Sequence, residues 1–186
     1  TVQCALWCSD LRGSTRLSAR LPTETYLDLL NSYFDCTAGA VMDHGGEVLK
    51  LIGDGVMAIF PFHDDAISRQ EACSRALAAA RSALDKADRF RRQKPDLAPD
   101  FTFGIGLHVG KAILGNVGTT RRLDMTVTGV AANEVSRIEA LTKVLGLSVL
   151  ASSGFFEAVP NGLAPAGRYP VADLGGAADL FTPVLR

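Results

Sequence analysis

Two aspartates stand where the chain can present carboxylates to a ligand. Asp10 lies at the end of the apolar run of residues 3–11, and Asp54 lies at the tip of the turn Gly53-Asp54-Gly55, between two short apolar runs. Two carboxylates held side by side repel each other unless a cation lies between them, and their oxygens suit Mg²⁺ or Mn²⁺. Taken alone, each aspartate is better explained as a turn or helix-capping residue. The pair indicates a metal site only if the fold brings the two together.

The spacing of apolar residues predicts the elements that must position this pair. Strands are expected over 3–11, 47–52, 56–60, 101–109, 111–117, 123–128, 147–151, 169–174 and 180–185, and helices over 22–43, 66–93, 131–143 and 153–159. Residues 10–15 are expected to form a turn. This order predicts an α+β fold, with a ferredoxin-like core and a mostly antiparallel sheet flanked by helices. In such a core the strands that carry Asp10 and Asp54 are neighbours.

Residues 101–109 alternate apolar side chains with small or polar ones, which predicts a strand with one buried face. Glycines on the other face predict close packing of a neighbouring backbone. No chemical role is assigned to His44, His63 or His108, for which packing or surface placement is the expectation.

The composition restricts the class of protein. The chain has 186 residues, 47% of them hydrophobic and 21% charged, which suits one globular domain over 1–186. We expect it to be a fragment of a longer protein. Because 19 basic residues nearly balance 20 acidic ones, no positive field favours nucleic acid or an anionic membrane. No apolar run approaches the roughly 20 residues that span a bilayer, so we expect a cytoplasmic domain without membrane contact.

The four cysteines form no CxxC pair and do not lie beside a histidine at the spacing of a zinc site. We expect buried, reduced thiols, which agree with a cytoplasmic location. The cysteines are Cys4, Cys8, Cys36 and Cys73.

Three segments resemble the catalytic domains of class III adenylate and guanylate cyclases. They are SDLRGST at 9–15, LKLIGDGVMAIF at 49–60 and TVTGVAANEVSRIEA at 126–140. The resemblance extends from Ala5 to about Glu139 and more loosely to the C-terminus. It implies an adenylate cyclase that converts ATP to 3′,5′-cyclic AMP and pyrophosphate.

The first two segments carry the metal and phosphate positions of that family. The resemblance implies that Asp10 and Asp54 hold two divalent cations, Mg²⁺ or Mn²⁺, and that Leu11 adds its backbone carbonyl. It also implies that the turn formed by Gly13, Ser14 and Thr15 surrounds the polyphosphate. These residues hold metal and substrate, and no general base is assigned.

The third segment carries the transition-state positions, which map onto Asn133 and Arg137. On a helix an i, i+4 pair shares one face, so both side chains can reach one ligand. Arg137 is expected to stabilise charge on the phosphoryl oxygens, and Asn133 to hold the ribose. The alternative is a surface ion pair between Arg137 and Glu134 or Glu139.

Base reading is implied at Lys50 and Thr126. The lysine would donate to adenine N1, and the threonine hydroxyl would accept from the exocyclic amine. Many adenylate cyclases carry aspartate at the Thr126 position, and the lysine–threonine pair resembles a bacterial subgroup. Lys111 is either a phosphate contact or a solvated lysine at a strand end.

The sequence departs from the family near its last hairpin, where a basic residue usually grips the triphosphate. Residues Ala172–Leu180 contain no lysine or arginine. Either Arg168, Lys111 or the Arg121-Arg122 pair substitutes, or ATP binds weakly.

The resemblance implies a homodimer, because in this family one subunit's metal aspartates face the other's base-reading and transition-state residues. This chain carries both sets, so two shared sites are expected. Two alternatives stay open. One is a guanylate cyclase, and the other is a catalytically weak module that binds nucleotide and regulates a partner domain.

Overall fold

The computed structural model describes residues 1–63, 66–119, 122–171 and 176–184, without the side chains of residues 117, 118 and 122–125. The strands are β1 Val2–Leu11, β2 Glu47–Ile52, β3 Gly55–Pro61, β4 Phe103–Thr119, β5 Arg122–Thr128, β6 Val149–Ser152, β7 Leu163–Val171 and β8 Gly176–Pro183. The helices are α1 Ser14–Arg20, α2 Thr23–Asp43, α3 Arg69–Gln93, α4 Val130–Leu145 and α5 Ser153–Ala158, and a 3-10 helix covers Pro160–Gly162.

The strands form one sheet in the order β2-β3-β1-β4-β6-β8-β7, and β5 pairs with the far part of β4. Neighbouring strands are antiparallel except β4 and β6, which are parallel. The first four strands have the order and direction of a ferredoxin-like core. The predicted α+β class and mostly antiparallel sheet are therefore confirmed, and β1 does lie beside β3.

Helices cover both faces of this sheet. Alternate residues of β1, such as Trp7 and Leu11, are buried in the larger core cluster, to which α2 and α3 also contribute. Leu6 points the other way, into a second cluster that includes Val135 of α4. Strands covered on both faces have few polar positions. The expectation of one buried face for residues 101–109 was therefore wrong, since residues 103–108 are all buried.

The helix boundaries follow local signals. Ser68 caps α3 by accepting a hydrogen bond from the Glu71 backbone N–H, at 3.1 Å. Beyond α2, Gly45 has a φ of 76°, and Gly146 caps α4 with a φ of 67°. Both angles lie in the left-handed region that glycine adopts without steric cost. The glycines end α2 at Asp43, as predicted, and α4 at Leu145, two residues beyond the predicted end.

Three elements differ from the prediction. Residues 10–15 are not only a turn, because α1 begins at Ser14; this helix buries only Leu17, too little for a periodic signal. The expected strands 101–109 and 111–117 form one strand, because Gly110 stays in the ladder opposite Cys4. The expected strand 169–174 is the end of β7, and residues 172–175 lie outside the described part.

Two expectations about the whole chain can be compared with the structure. All four cysteines are free thiols, and all but Cys8 are buried. Within the described ranges, no helix is both long and apolar enough to cross a membrane.

Candidate active site

The ends of β1 and β3 bring the two predicted metal aspartates together. Asp10 lies opposite Gly55 in the β1–β3 ladder, and Gly55 directly follows Asp54 in the chain. The Leu11 backbone N–H donates to the Asp54 carbonyl at 3.1 Å, which ties the β2–β3 turn to the end of β1. A Cβ at Gly55 would lie 3.3 Å from the Asp10 carboxylate, so the small residue keeps room for it. Leu11 is fully buried, so its side chain is not available to a ligand.

The charges at this corner show that carboxylates crowd one another. Burial, and then the charge of Asp54, raises the pKa of Asp10 to about 6, while Lys143 opposes the shift. Burial, and then the charge of Asp10, raises the pKa of Glu139 to about 7, while Arg12 lowers it. We call Asp10, Arg12, Asp54, Glu139 and Lys143 the acidic corner. Uncompensated negative charge is what a divalent cation neutralises.

The residues after Asp10 turn the chain around this corner. Gly13 has a φ of 70° and precedes α1, whose first N–H groups have no acceptor within the helix. The Ser14 hydroxyl donates a hydrogen bond to the Asp54 carboxylate. Thr15 is in the same first turn, so all three predicted phosphate-binding residues lie next to the aspartates.

Asn133 and Arg137 lie on the exposed side of α4. The opposite side of the helix packs on the sheet through Ala131, Val135 and Ile138, which are buried. One predicted feature of the site, the shared face of Asn133 and Arg137, is therefore present on a helix anchored to β4 and β1.

The two sets of residues on α4 point in different directions. At 100° per residue, Glu139 and Lys143 lie about 120° around the helix from Asn133 and Arg137. The first pair faces Asp10, since Lys143 lowers the pKa of Asp10 and the charge of Asp10 raises the pKa of Glu139. The second pair is consequently directed away from the acidic corner of its own protomer.

The alternative interpretation pairs Arg137 with Glu134 or Glu139, and both carboxylates have other contacts. Glu134 pairs with His108, at 2.9 Å between Nε2 and Oε2. Glu139 lies in the acidic corner near Arg12. Neither carboxylate is a simple surface group.

The predicted base-reading residues lie on strands that contact each other. Lys50 is half-buried on β2, opposite Met57, just after a bulge in the ladder. Thr126 is half-buried on β5, opposite Gly115, and β5 lies against β2. Lys111 is exposed on β4, opposite Gln3 of β1.

Segment 172–180 lacks the basic residue that the family uses to bind the triphosphate, and the arginines that could replace it lie elsewhere in the fold. Arg168 is on β7, where it pairs with Asp179 of β8 at 3.8 Å. Because β7 is four strands from β1, about 19 Å of sheet separates Arg168 from Asp10 within one protomer. Arg121 lies outside the described residues, as does the Arg122 side chain, and so do residues 172–175 of the late segment.

Sequence reasoning missed the inner part of the acidic corner. Arg12, Glu139 and Lys143 were not assigned, although the i, i+4 spacing of the last two on a predicted helix was a usable signal. Among the described residues, no group of three or more acidic, histidine or cysteine side chains is arranged to hold a metal ion. A cation here would be held by the two aspartates, with its other ligands from backbone, water or substrate.

Comparison with known proteins supports the same assignment. Residues 1–153 match the family model described as the adenylate and guanylate cyclase catalytic domain. An adenylate cyclase from Anabaena cylindrica is 37% identical over 147 residues, 78% of this chain and 28% of that protein. A bacterial light-regulated adenylyl cyclase structure is 26% identical with a TM-score of 0.83, covering 98% of this chain and 52% of its own. The structure of the guanylyl cyclase Cya2 is 26% identical with a TM-score of 0.77, and the match covers 96% of this chain and 90% of that one.

The chain thus spans little more than a quarter of the curated Anabaena relative. The family match nevertheless includes every described element from β1 to α4, and with them the acidic corner and the helix that carries Asn133 and Arg137. The chain belongs to the adenylate and guanylate cyclase catalytic domain family.

Proposed function

We propose that this chain is the catalytic domain of an adenylate cyclase, which converts ATP to 3′,5′-cyclic AMP and pyrophosphate. The observation that carries the proposal is the placement of Asp10 beside Asp54, where each carboxylate is exposed to the other's charge. The similarity to the Anabaena adenylate cyclase supports the choice of reaction. Because ATP is most abundant in the cytoplasm, we place the domain there.

The acidic corner fits a pair of divalent cations, Mg²⁺ or Mn²⁺. The charge of Asp54 contributes to the raised pKa of Asp10, and bound cations would remove that repulsion. Asp10 and Asp54 would hold them, with the Leu11 carbonyl as a further ligand. When bound, such ions lower the pKa of an attacking hydroxyl and neutralise phosphate charge.

The other residues bind and orient the substrate. The backbone N–H groups of Gly13, Ser14 and Thr15, at the start of α1, suit phosphate oxygens. Arg137 stabilises the negative charge that grows on the α-phosphoryl oxygens, and Asn133 holds the ribose so that its 3′-oxygen lies in line.

The active site is proposed to be shared between two copies of the chain. Asn133 and Arg137 lie on a different side of α4 from the residues that face the acidic corner, which supports a site in which one copy supplies the acidic corner and the other supplies Asn133 and Arg137. A symmetric homodimer supplies the missing half twice. Its surface includes the exposed apolar side chains Leu51, Ile52 and Val130, on elements that carry base-reading or transition-state residues.

Base choice depends on Lys50 and Thr126. A lysine donor at N1 and a hydroxyl acceptor at the amine match adenine, whereas guanine presents a donor and an acceptor in reverse. Mispairing would leave buried polar groups unsatisfied at about 1–3 kcal/mol each. Because a hydroxyl can also donate, Thr126 rejects guanine less firmly than a carboxylate would. Guanylate cyclase activity is therefore the second candidate, favoured by the similarity to the guanylyl cyclase Cya2.

Product analysis tests the proposal. The purified chain is incubated with ATP or GTP, in Mn²⁺ or Mg²⁺, and cyclic nucleotides are separated by chromatography. We expect cyclic AMP from ATP and at least about 10-fold less cyclic GMP from GTP, since one mispaired polar group accounts for that ratio.

Two variants make this assay specific. Asp54→Ala should lower the rate by about 10³-fold, a loss typical of removed electrostatic stabilisation. Asp43→Asn is the matched control, because Asp43 lies at the end of α2 and pairs with Lys86. Nucleotide binding without any cyclic product from wild-type protein would identify the regulatory module instead.

A further inference from the structure

His108 connects three elements at a buried position. Its Nε2 lies 2.9 Å from Glu134 Oε2 on α4, and its Nδ1 lies 2.9 Å from Ser152 Oγ at the end of β6. The His108 and Glu134 side chains are only 10% and 13% exposed. Polar groups buried this far require partners, and here they partner each other across the interface between sheet and helix.

Around His108 the contact between β4 and α4 is made by small residues. Gly106, His108 and Gly110 lie on the same face of β4, since successive residues of a strand alternate between its two faces. A Cβ at Gly106 would lie 2.6 Å from the Val135 carbonyl oxygen, and one at Gly110 would lie 2.6 Å from the Ala131 Cβ. The helix therefore rests directly on the strand backbone, with the imidazole between two glycine contacts.

The hydrogen bonds determine how the imidazole is protonated. The Glu134 carboxylate can only accept, so a neutral His108 carries its proton on Nε2 and donates it to Glu134. His108 Nδ1 then accepts from the Ser152 hydroxyl, whose oxygen accepts from the Phe155 backbone N–H. Burial lowers the pKa of His108 to about 4, which agrees with a neutral ring. The chain of bonds thus runs in one direction, from α5 to α4.

We propose that the hydrogen bond from His108 to Glu134 positions α4 on the sheet and thereby fixes where Asn133 and Arg137 meet the substrate. The inference rests on the proposed function and adds two positioning residues to it. Glu134 directly follows Asn133 and lies less than one turn before Arg137. A displacement at Glu134 is consequently transmitted to both side chains.

The packing explains why a directional bond is needed here. Contacts among glycine and alanine are flat, and they allow a helix to slide or rotate with little change in buried area. Val135 and Ile138 are the larger side chains that pack α4 on the sheet, and around His108 itself the contact is made by small residues. A buried hydrogen bond has one optimal geometry, so it selects one arrangement among several of similar packing. In-line attack depends on such placement, and a shift of 1 Å can reduce a rate about 100-fold.

Substitutions of Glu134 test this role. We expect Glu134→Ala to lower kcat for cyclic AMP formation by about 10- to 100-fold and to change KM for ATP by less than about 3-fold, because the base-reading residues are on other elements. Glu134→Gln keeps an acceptor for His108 Nε2–H and should restore kcat to within about 3-fold of wild type. Ser68→Ala is the control, because it removes the cap of α3 without a contact to α4.

Amide hydrogen exchange gives a second readout that does not depend on activity. Residues 130–145 should exchange faster in Glu134→Ala than in wild type, and at the wild-type rate in Glu134→Gln and Ser68→Ala. An unchanged kcat in Glu134→Ala would overturn the proposal. It would also be overturned if kcat of Glu134→Gln were as low as that of Glu134→Ala. If wild-type protein makes no cyclic AMP, the proposed function fails, and exchange alone then decides whether His108 and Glu134 position α4.

Discussion

The acidic corner and the exposed face of α4 carry the two halves of the proposed site, and they are built in different ways. Asp10 and Asp54 are neighbours because the backbone ladder of β1 and β3 places them so, in a register of single residues. Asn133 and Arg137 are placed by the packing of a whole helix on a row of glycines. Position in the first region depends on backbone hydrogen bonds, and position in the second depends on side-chain contacts.

The two regions also differ in electrostatic cost. In the acidic corner like charges lie together, so the fold without metal carries repulsion there. Beneath α4, the buried His108 is neutral and its polar atoms are paired. Ligand binding relieves the repulsion in the acidic corner, whereas the polar atoms of His108 beneath α4 are already paired before any ligand binds.

Mixing two inactive variants separates the two regions by protomer. Asp54→Ala breaks the acidic corner and Arg137→Ala breaks the α4 face, and each alone should lose about 10³-fold in rate. In an equal mixture half of the dimers carry one variant of each kind, with one intact site of two. We therefore expect about a quarter of wild-type activity from a shared-site dimer. Cyclic AMP formation after mixing is the measurement.

The mixture needs a control for assembly. Sedimentation or size-exclusion chromatography must show that both variants fold and dimerise. Mixing Asp54→Ala with Asp10→Ala should restore nothing, because both changes lie in the same half. If well-folded, dimeric Asp54→Ala and Arg137→Ala proteins stay inactive together, the two halves act within one protomer.

A side chain added at a glycine beneath α4 should disturb the packing of this helix on the sheet. In Gly106→Ala the new Cβ meets backbone atoms of Val135 and Glu139 at 2.6 and 2.7 Å, and backbone cannot rotate away. We expect the free energy of unfolding to fall by about 3 kcal/mol, the upper range for overpacking. Urea denaturation measures it.

Gly115 provides the matched control on the same strand. No atom of the described residues lies within 4 Å of a Cβ built there, so Gly115→Ala should change stability by less than about 1 kcal/mol. Equal losses for the two variants would mean that glycine is required for the strand conformation and not for close approach of α4.

The same contrast explains what the sequence could predict. Asp10 and Asp54 stand in short motifs next to their own turns, and the order of strands predicted that they would meet. The pairing of His108 with Glu134 left no such signal, because the partners are separated by a hairpin and the resemblance over 126–140 assigned no role to Glu134. Arg12 and Glu139 also lie within the quoted segments, but neither was assigned a role there. Helix α1 was missed because one buried leucine in seven residues gives no periodicity.

Asp10→Asn should separate stability from function in the acidic corner. Because folding raises the pKa of Asp10 to about 6, the ionised carboxylate at pH 8 opposes folding. An amide of the same shape removes that charge. We expect the metal-free variant to be more stable than wild type by about 1 kcal/mol, a value reduced for the solvent exposure of Asp10, while cyclase activity is lost. Thermal or urea denaturation in the presence of a chelator measures the difference.

The pH dependence of that difference identifies its cause. Above pH 6 the gain should be complete, and below about pH 4 it should vanish, because the carboxyl group is then protonated in both the folded and unfolded states. Asp43→Asn should have the opposite sign, since Lys86 lowers the pKa of Asp43 and the charged form favours folding. A gain from Asp10→Asn that persists at pH 4 would assign it to packing, and the contrast between a repulsive acidic corner and a neutral α4 interface would then be wrong.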